Sequence, residues 1–330
     1  MDICNNEKNM DTYLEVAMED KNLYIKIAHW YYTLGMTQDE IAKRLSFTRQ
    51  RVNRIISSLR DMGIVTIKVN GYAQGNVAYE GAIEEHFGLK RVIIAESYDG
   101  ESDYMPSLAN TASQYLEDYL QPGMSIGVSW GETLAATISN LSFKRRSECT
   151  VVQMVGAQNI DMDMLKSDEI ARSLADKLDS VCYILYAPVI VDHAETKRML
   201  MEERTIQKSY ELMRRCDVAL FGIGQVSRES TMCKRGLLKV EDIDRLRQDG
   251  FIGDVCVNPV TIDGRWQDCF IRDRVISANM EILKNIPNVV AIAGGEDKTE
   301  AIIGCLASGV IDTLITTDTT AERIVRTLVL

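Results

Sequence analysis

Histidine is scarce in this chain: His29, His86 and His193 are the only three in 330 residues, so metal-ligand spacing is absent. The eight cysteines are scattered without a C-x-x-C pair, which argues against a zinc ribbon and predicts reduced, mostly buried thiols. No stretch approaches the roughly 18 consecutive apolar residues that a membrane span needs. The opening MDICNNEKNMDTYLE lacks the basic start and apolar centre of a signal peptide, so the expectation is a cytoplasmic protein with no membrane partner. Nucleotide fingerprints fail as well. Gly222-Ile223-Gly224 has no third glycine to complete G-x-G-x-x-G, and Asp297 stands where a P-loop needs glycine before Lys298. No metal and no cofactor is expected, and no internal repeat or low-complexity tract occurs.

What remains is an ordinary globular composition, 46% hydrophobic and 26% charged, on a chain long enough for two domains. Its charge is unevenly spread. The net charge is -11, yet residues 36–69 hold seven bases against three acids, while the first twenty hold six acids against one lysine. A basic island on an acidic chain directs any polyanion to that island alone.

The island has local order. Thr37 with Glu40 three residues on reads as a capping box, and Ile41, Ala42 and Leu45 give the helix behind it an apolar face. Ser46-Phe47 makes the turn. Thr48 restarts a helix in which Val52, Ile55, Ile56 and Leu59 share one stripe at i, i+3, i+4 and i+7. Its opposite face carries Arg49, Gln50, Arg51, Asn53, Arg54, Ser57 and Arg60, side chains whose geometry suits base edges and phosphates. Gly63 is expected to end the helix, and IVTIKV alternates into a strand, a wing. Lys21 to Leu34 supplies a preceding helix on Leu23, Ile25, Ile27, Ala28, Tyr31 and Leu34, closed by Gly35. The candidates for contact with DNA are Thr37, Thr48, Arg49, Gln50, Arg51, Asn53 and Arg54.

From Arg91 the period changes. Apolar runs at 92–95, 124–128, 150–156, 182–191, 218–224, 289–295 and 313–317 alternate with helix-length segments, the pattern of a parallel sheet covered on both faces. Ligands of such sheets lie beyond the carboxyl ends of the strands. Three loops there carry chemistry. Gly127 to Leu134 places Ser129, Trp130, Gly131 and Thr133 at a helix start, where amides and hydroxyls cradle an anion. Gly222 and Gly224 shape the second, and Gly294 to Thr299 presents Lys298 as a point charge. Within FIGDVCVNPVTIDG, Gly253-Asp254 and Asp263-Gly264 read as turns, and Asp254 is also able to accept hydrogen bonds from ligand hydroxyls. Together the loops point to a small phosphorylated molecule.

From about Leu23 to Leu330 the chain resembles the SorC/DeoR family of bacterial sugar-responsive transcriptional regulators. The resemblance rests on GMTQDEIAKRL, GIVTIKV, GVSWGETLAA, ALFGIG, GDV with DG, and above all AIAGGEDKTEAIIGCLASGVIDTLITTDTTAERI. It implies a winged helix-turn-helix followed by a parallel α/β effector domain related in fold to ribose-5-phosphate isomerase and glucosamine-6-phosphate deaminase. It also implies a phosphorylated sugar effector and assembly into dimers or tetramers. Carried to this sequence, it assigns phosphate contact to Gly131, Thr133 and Lys298 and hydroxyl contact to Asp254, with Gly222 and Gly224 forming the floor. The family's usual basic residue is replaced by Glu132. The expected divisions are 1–20, a mobile extension; 21–70, DNA binding; 71–88, linker and connecting helix; and 89–330, effector binding and oligomerisation. The alternative is a sugar-phosphate isomerase or deaminase fused to a DNA-binding domain. That chemistry needs a positioned base, and His193 has no matching carboxylate in the pattern.

Overall fold

The computed structural model describes residues 21–65, 74–96, 103–145, 148–157, 167–234 and 236–328. The chain divides into two compact units, Met1–Tyr72 and Ala73–Leu330. The expected extension 1–20 and the wing strand beyond Val65 lie outside the described residues.

In the first unit, α1 (21–28) continues as a π-turn over His29–Thr33, followed by α2 (Gln38–Leu45) and α3 (Arg49–Ser58). The capping box forms: the Thr37 hydroxyl accepts the Glu40 amide at 3.3 Å, and the Glu40 carboxylate accepts the Thr37 amide at 2.8 Å. Those bonds hold the Glu40 carboxyl below the usual range. Ser46 turns the chain in a left-handed conformation at φ 55°, and Thr48 caps α3 by accepting the Arg51 amide at 3.2 Å. Val52, Ile55, Ile56 and Leu59 are buried against Ile27, Ala28, Ile41 and Ala42. Two expectations need correction. The helix stops at Ser58, with turns leading to Gly63 at φ 65°, so Leu59 joins the core from the cap. Ile25 and Leu34 are exposed, because Ile25 points away from the Ile27 side and the wider π-turn rotates Leu34 off the stripe.

The second unit is a nine-stranded sheet among the described residues, ordered β1-β9-β8-β5-β2-β3-β4, with every pairing on that path parallel. Its strands are β1 (Arg91–Ala95), β2 (Ser125–Val128), β3 (Thr150–Gln153), β4 (Val181–Tyr183), β5 (Val218–Gln225), β6 (Phe251–Val255), β7 (Asn258–Thr261), β8 (Asn288–Ile292) and β9 (Thr313–Thr317). The helices are α4 (Gln74–Phe87), α5 (Met105–Tyr119), α6 (Glu132–Asn140), α7 (Ser167–Leu178), α8 (Ala194–Glu202), α9 (Arg204–Met213), α10 (Thr231–Lys234), α11 (Val240–Gln248), α12 (Met280–Leu283), α13 (Thr299–Ala307) and α14 (Asp318–Leu328). One face is covered by α5, α6 and α7, through Leu108, Leu116, Leu134, Ile138 and Leu174. The other is covered by α4, α9, α11, α13 and α14, through Ile83, Ile206, Leu246, Leu306 and Ile324. Burial on both sides explains why β8 and β9 read as unbroken apolar or small residues, with every position buried.

The run 182–191 is not one strand. Pairing stops at Tyr183; beyond it the Leu185 amide donates to the Gln153 side chain at 3.2 Å, and among the described residues only isolated bridges form, Ala157 with Pro188 and Ile190 with Val275. Conversely, Gly253-Asp254 is not a turn. These residues lie in β6, which forms an antiparallel hairpin with β7 and pairs with the end of β5. The turn is Cys256-Val257, both left-handed at φ 54° and 62°, as two-residue hairpins require. Asp254 accepts the Val257 amide at 3.0 Å, and the Asn258 amide donates to the carbonyls of Val255 and Cys256 at 3.0 Å each.

β1 is a sheet edge, and α4 covers its outward amides. Glu84 accepts from Val92 at 2.7 Å and Glu80 from Ile94 at 3.0 Å. An uncapped edge is a template for pairing with another chain. Replacing both glutamates by alanine is expected to lower stability by about 1 to 3 kcal/mol and to promote self-association, read from denaturant midpoints and sedimentation. The double glutamine variant keeps an acceptor at each position and should behave close to wild type. Equal losses in both variants would show that charge, not capping, matters.

Candidate functional site

The exposed face of α3 contains the residues expected to meet DNA, and the structure distinguishes among them. Arg49 reaches Asp39 at 3.6 Å, Arg51 lies over the Phe47 ring at 3.8 Å, and the Asn53 carbonyl accepts from Gln38 at 3.2 Å. These three are oriented by α2 or by the turn before α3. Gln50 and Arg54 are exposed and, among the described residues, form no ion pair or side-chain hydrogen bond. Thr37 and Thr48 spend their hydroxyls on caps.

The second constellation lies at the carboxyl edge of the sheet. From β2 the chain runs through α6 to β3 and β4 on one side. On the other side of β2 stand β5, β8 and β9, so strand order reverses between β2 and β5. A crevice opens at such a switch point because the loops from the two central strands run to opposite faces. Here α6, after β2, packs on one face, and α13, after β8, packs on the other.

From the β2 side, Ser129 is buried, its amide donating to the Leu220 carbonyl at 3.0 Å. Trp130 is half-buried and packs against both cores. Gly131 caps α6 at φ 130° without any side-chain hydrogen bond, and Thr133 is buried in the first turn. Gly222 lies between the flanking strands: a Cβ there would stand 3.9 Å from the Trp130 carbonyl oxygen and 4.0 Å from that of Ile292. From the β8 side, Gly295 at φ 113° leads through a short turn, Glu296–Lys298, into α13, with Lys298 at its cap.

Asp254 joins them from β6. It is only 6% exposed, and a Cβ on Gly224 would lie 2.0 Å from its Oδ1, so glycine at 224 is what admits the carboxylate. Burial pushes this carboxyl up to about 6, against the pull of the Val257 amide and the charge of Lys298. Asp254 and Lys298 feel each other's charge, yet they form no ion pair within 4 Å among the described residues. Burial also pushes the Cys256 thiol far up, beside the hydroxyls of Ser129 and Ser277.

Ser129, Gly131, Gly222, Gly224 and Lys298 thus stand beyond or at the ends of β2, β5 and β8, with Asp254 of β6 against Gly224. The electrostatics are mixed. Two helix starts and Lys298 favour an anion, whereas Glu132 opens α6 with a carboxylate and Asp297 precedes Lys298. A cleft of about 590 Å³ flanks Glu132, lined also by Asp103, Met105, Ala135, Ile170 and Ser173. Sequence reasoning missed Gln225, which donates to the Asp297 carbonyl and ties the β5 end to the β8 loop. It also missed Tyr104, just before α5, whose ring meets the same loop. His193 stands exposed before α8 with no carboxylate partner among the described residues. No helix of the described residues is long and apolar enough to cross a membrane.

Residues 72–326 match the family model described as "Putative sugar-binding domain", and residues 17–73 match the Crp-like helix-turn-helix domain. The transcriptional regulator LsrR of Enterobacter sp. (strain 638) is 27% identical over 315 residues, 94% of each chain. The deoxyribonucleoside regulator of Bacillus subtilis (strain 168) is 27% identical over 313 residues, 94% of this chain and 99% of its own. Among solved structures, the full-length sorbitol operon regulator SorC from Klebsiella pneumoniae superposes with a TM-score of 0.71 at 26% identity, over 93% of this chain and 99% of its own.

Proposed function

The chain belongs to the sugar-binding-domain family of helix-turn-helix transcriptional regulators, and from that premise we propose that its effector is a phosphorylated sugar or a similar small phosphorylated metabolite. It is a sugar-responsive DNA-binding regulator and not an enzyme. The observation that carries the effector reading is the pair Asp254 and Lys298, opposite charges in one crevice that do not neutralise each other directly. Asp254 accepts sugar hydroxyls. Lys298 and the amides at the starts of α6 and α13 take the phosphate. Ser129, Trp130 and Thr133 line the β2 side, and Gly222 and Gly224 keep the floor at backbone height. The effector shifts operator affinity by binding two arrangements of the assembly unequally, which requires a coupling of about 1 to 3 kcal/mol. Residues 21–70 bind DNA as a winged unit, 71–88 connect, and 89–330 bind effector and assemble dimers or tetramers in the cytoplasm.

Glu132 supports a second reading, an unphosphorylated sugar, because a carboxylate at the first position of α6 opposes a dianion there. Thermal shift of the full chain against sugar phosphates and their parent sugars separates the two. A ligand at a hundred times its dissociation constant stabilises the folded state by about 2.7 kcal/mol. Phosphorylated forms alone should act, and equal shifts with parent sugars would favour the second reading. Operator anisotropy completes the test: a ligand that binds yet leaves operator affinity unchanged would sink the regulatory linkage.

A further inference from the structure

Tyr104 precedes α5 on the face of the sheet covered by α5, α6 and α7, and its ring packs partly buried against that core. It also occupies the space above the β8 loop. A Cβ on Gly295 would stand 2.9 Å from the Tyr104 hydroxyl oxygen, and one on Gly294 would stand 3.2 Å from its Cε2. The first is closer than a side chain tolerates and the second is tight, so this ring, with Asp297 and Thr317, closes over the two glycines before Lys298. The hydroxyl itself makes no hydrogen bond among the described residues, although half of the side chain is buried. The phenol oxygen is not among the described buried polar atoms that lack a partner, so a ligand reaches it.

Resting on the effector reading above, we propose that Tyr104 is a specificity-determining residue of the effector site. Its ring forms the wall opposite Asp254, and its hydroxyl binds a sugar oxygen between the β2 and β8 loops. The surroundings explain the orientation. Burial, with the charges of Asp297, Asp103 and Glu132, keeps the phenol protonated, so it donates. Asp103, on the turn that carries Tyr104, repels a phosphate from this wall, and among the described residues it closes no ion pair. The ligand therefore enters with its phosphate toward Lys298 and its hydroxyl-bearing end toward Tyr104. Gly294 and Gly295 lie under the ring that defines how much sugar fits.

The test compares wild type, Tyr104→Phe and Tyr104→Ala as full chains, titrated with inorganic phosphate, ribose 5-phosphate, glucose 6-phosphate and glucosamine 6-phosphate. Tyr104→Phe keeps the ring and the fold. It should weaken the tightest sugar phosphate about five- to tenfold, the loss expected for one hydrogen bond, and leave inorganic phosphate binding unchanged. Tyr104→Ala should flatten the preference among the three sugar phosphates by opening the wall. Wild-type binding with unaltered relative affinities in both variants would overturn the role of Tyr104 alone. Failure of wild type to bind any of the sugar phosphates would overturn the effector reading, and this inference with it. An equal loss on inorganic phosphate would place Tyr104 at the phosphate end and reverse the proposed orientation.

Discussion

Replacing Arg54 by alanine should lower operator affinity by about 1 to 3 kcal/mol, roughly five- to 150-fold, with little change in folding. Arg54 is exposed on α3 and uncommitted, whereas Arg49 and Arg51 are held by Asp39 and Phe47. An uncommitted guanidinium gives up no existing bond when it meets DNA, and its fork matches a guanine edge or a phosphate. The two contacts leave different signatures in fluorescence anisotropy at several salt concentrations. A base contact predicts relaxed preference at one operator position with the salt dependence retained. A phosphate contact predicts uniform weakening on all sequences and a salt slope reduced by about 0.9. An unchanged affinity would remove α3 from the groove. Arg145, in the other unit and paired with Asp179 at 3.2 Å, is the control whose loss should not matter.

The second large effect is on stability, and its sign depends on pH. Asp254→Asn should stabilise the effector-free protein by about 3 kcal/mol at pH 7.5, because each tenfold in proton affinity is worth about 1.4 kcal/mol. The wild-type carboxyl is nearly inaccessible, and its folded-state value is raised to about 6. A carboxyl raised on folding makes the native state bind its proton more tightly. Wild-type stability from this group is therefore greatest at low pH, falls as pH rises from about 4 through 6, and stays low above that. Asparagine keeps the shape and an acceptor for the Val257 amide without the buried charge. The variant's advantage should be complete at pH 7.5 and vanish near pH 4. No gain at pH 7.5 in urea melts, or a gain that persists at pH 4, would contradict this account. The same variant should respond poorly to effector, since a carboxylate kept ionised at a stability cost is suited to accepting ligand hydroxyls.

The two units differ in how much of them is legible from residue patterns. In the first, caps and stripes are encoded within a few residues: Thr37 with Glu40, Thr48 before α3, and Val52 with Ile55, Ile56 and Leu59 all sit where the pattern puts them. Only the ends drift, at Ser58 and in the π-turn. In the second, the parallel sheet is legible from its apolar runs, but the β6–β7 hairpin is not, because Cys256 and Val257 carry no turn signal. Their left-handed geometry is maintained by bonds from Asp254 and Asn258. The run 182–191 shows the converse, since pairing ends at Tyr183 inside a composition that favours a strand.

The basic, capped helices and the glycine loops at strand ends are thus properties of the sequence by itself, because short-range periodicity and backbone freedom are local. Which loops meet is not local. Asp254 reaches Gly224 across 30 positions only because β6 folds back on the end of β5. Tyr104 meets Gly294 and Gly295 only because β9 pairs between β1 and β8 and α5, which follows β1, lies across them. The edge amides of β1 find Glu80 and Glu84 only through the docking of α4. Strand order is set by long-range pairing and by the burial of two faces at once, and no periodicity along the chain records it. The tertiary structure therefore decided which arginine on α3 stays uncommitted, how deeply Asp254 is buried, and that a tyrosine stands over the β8 loop.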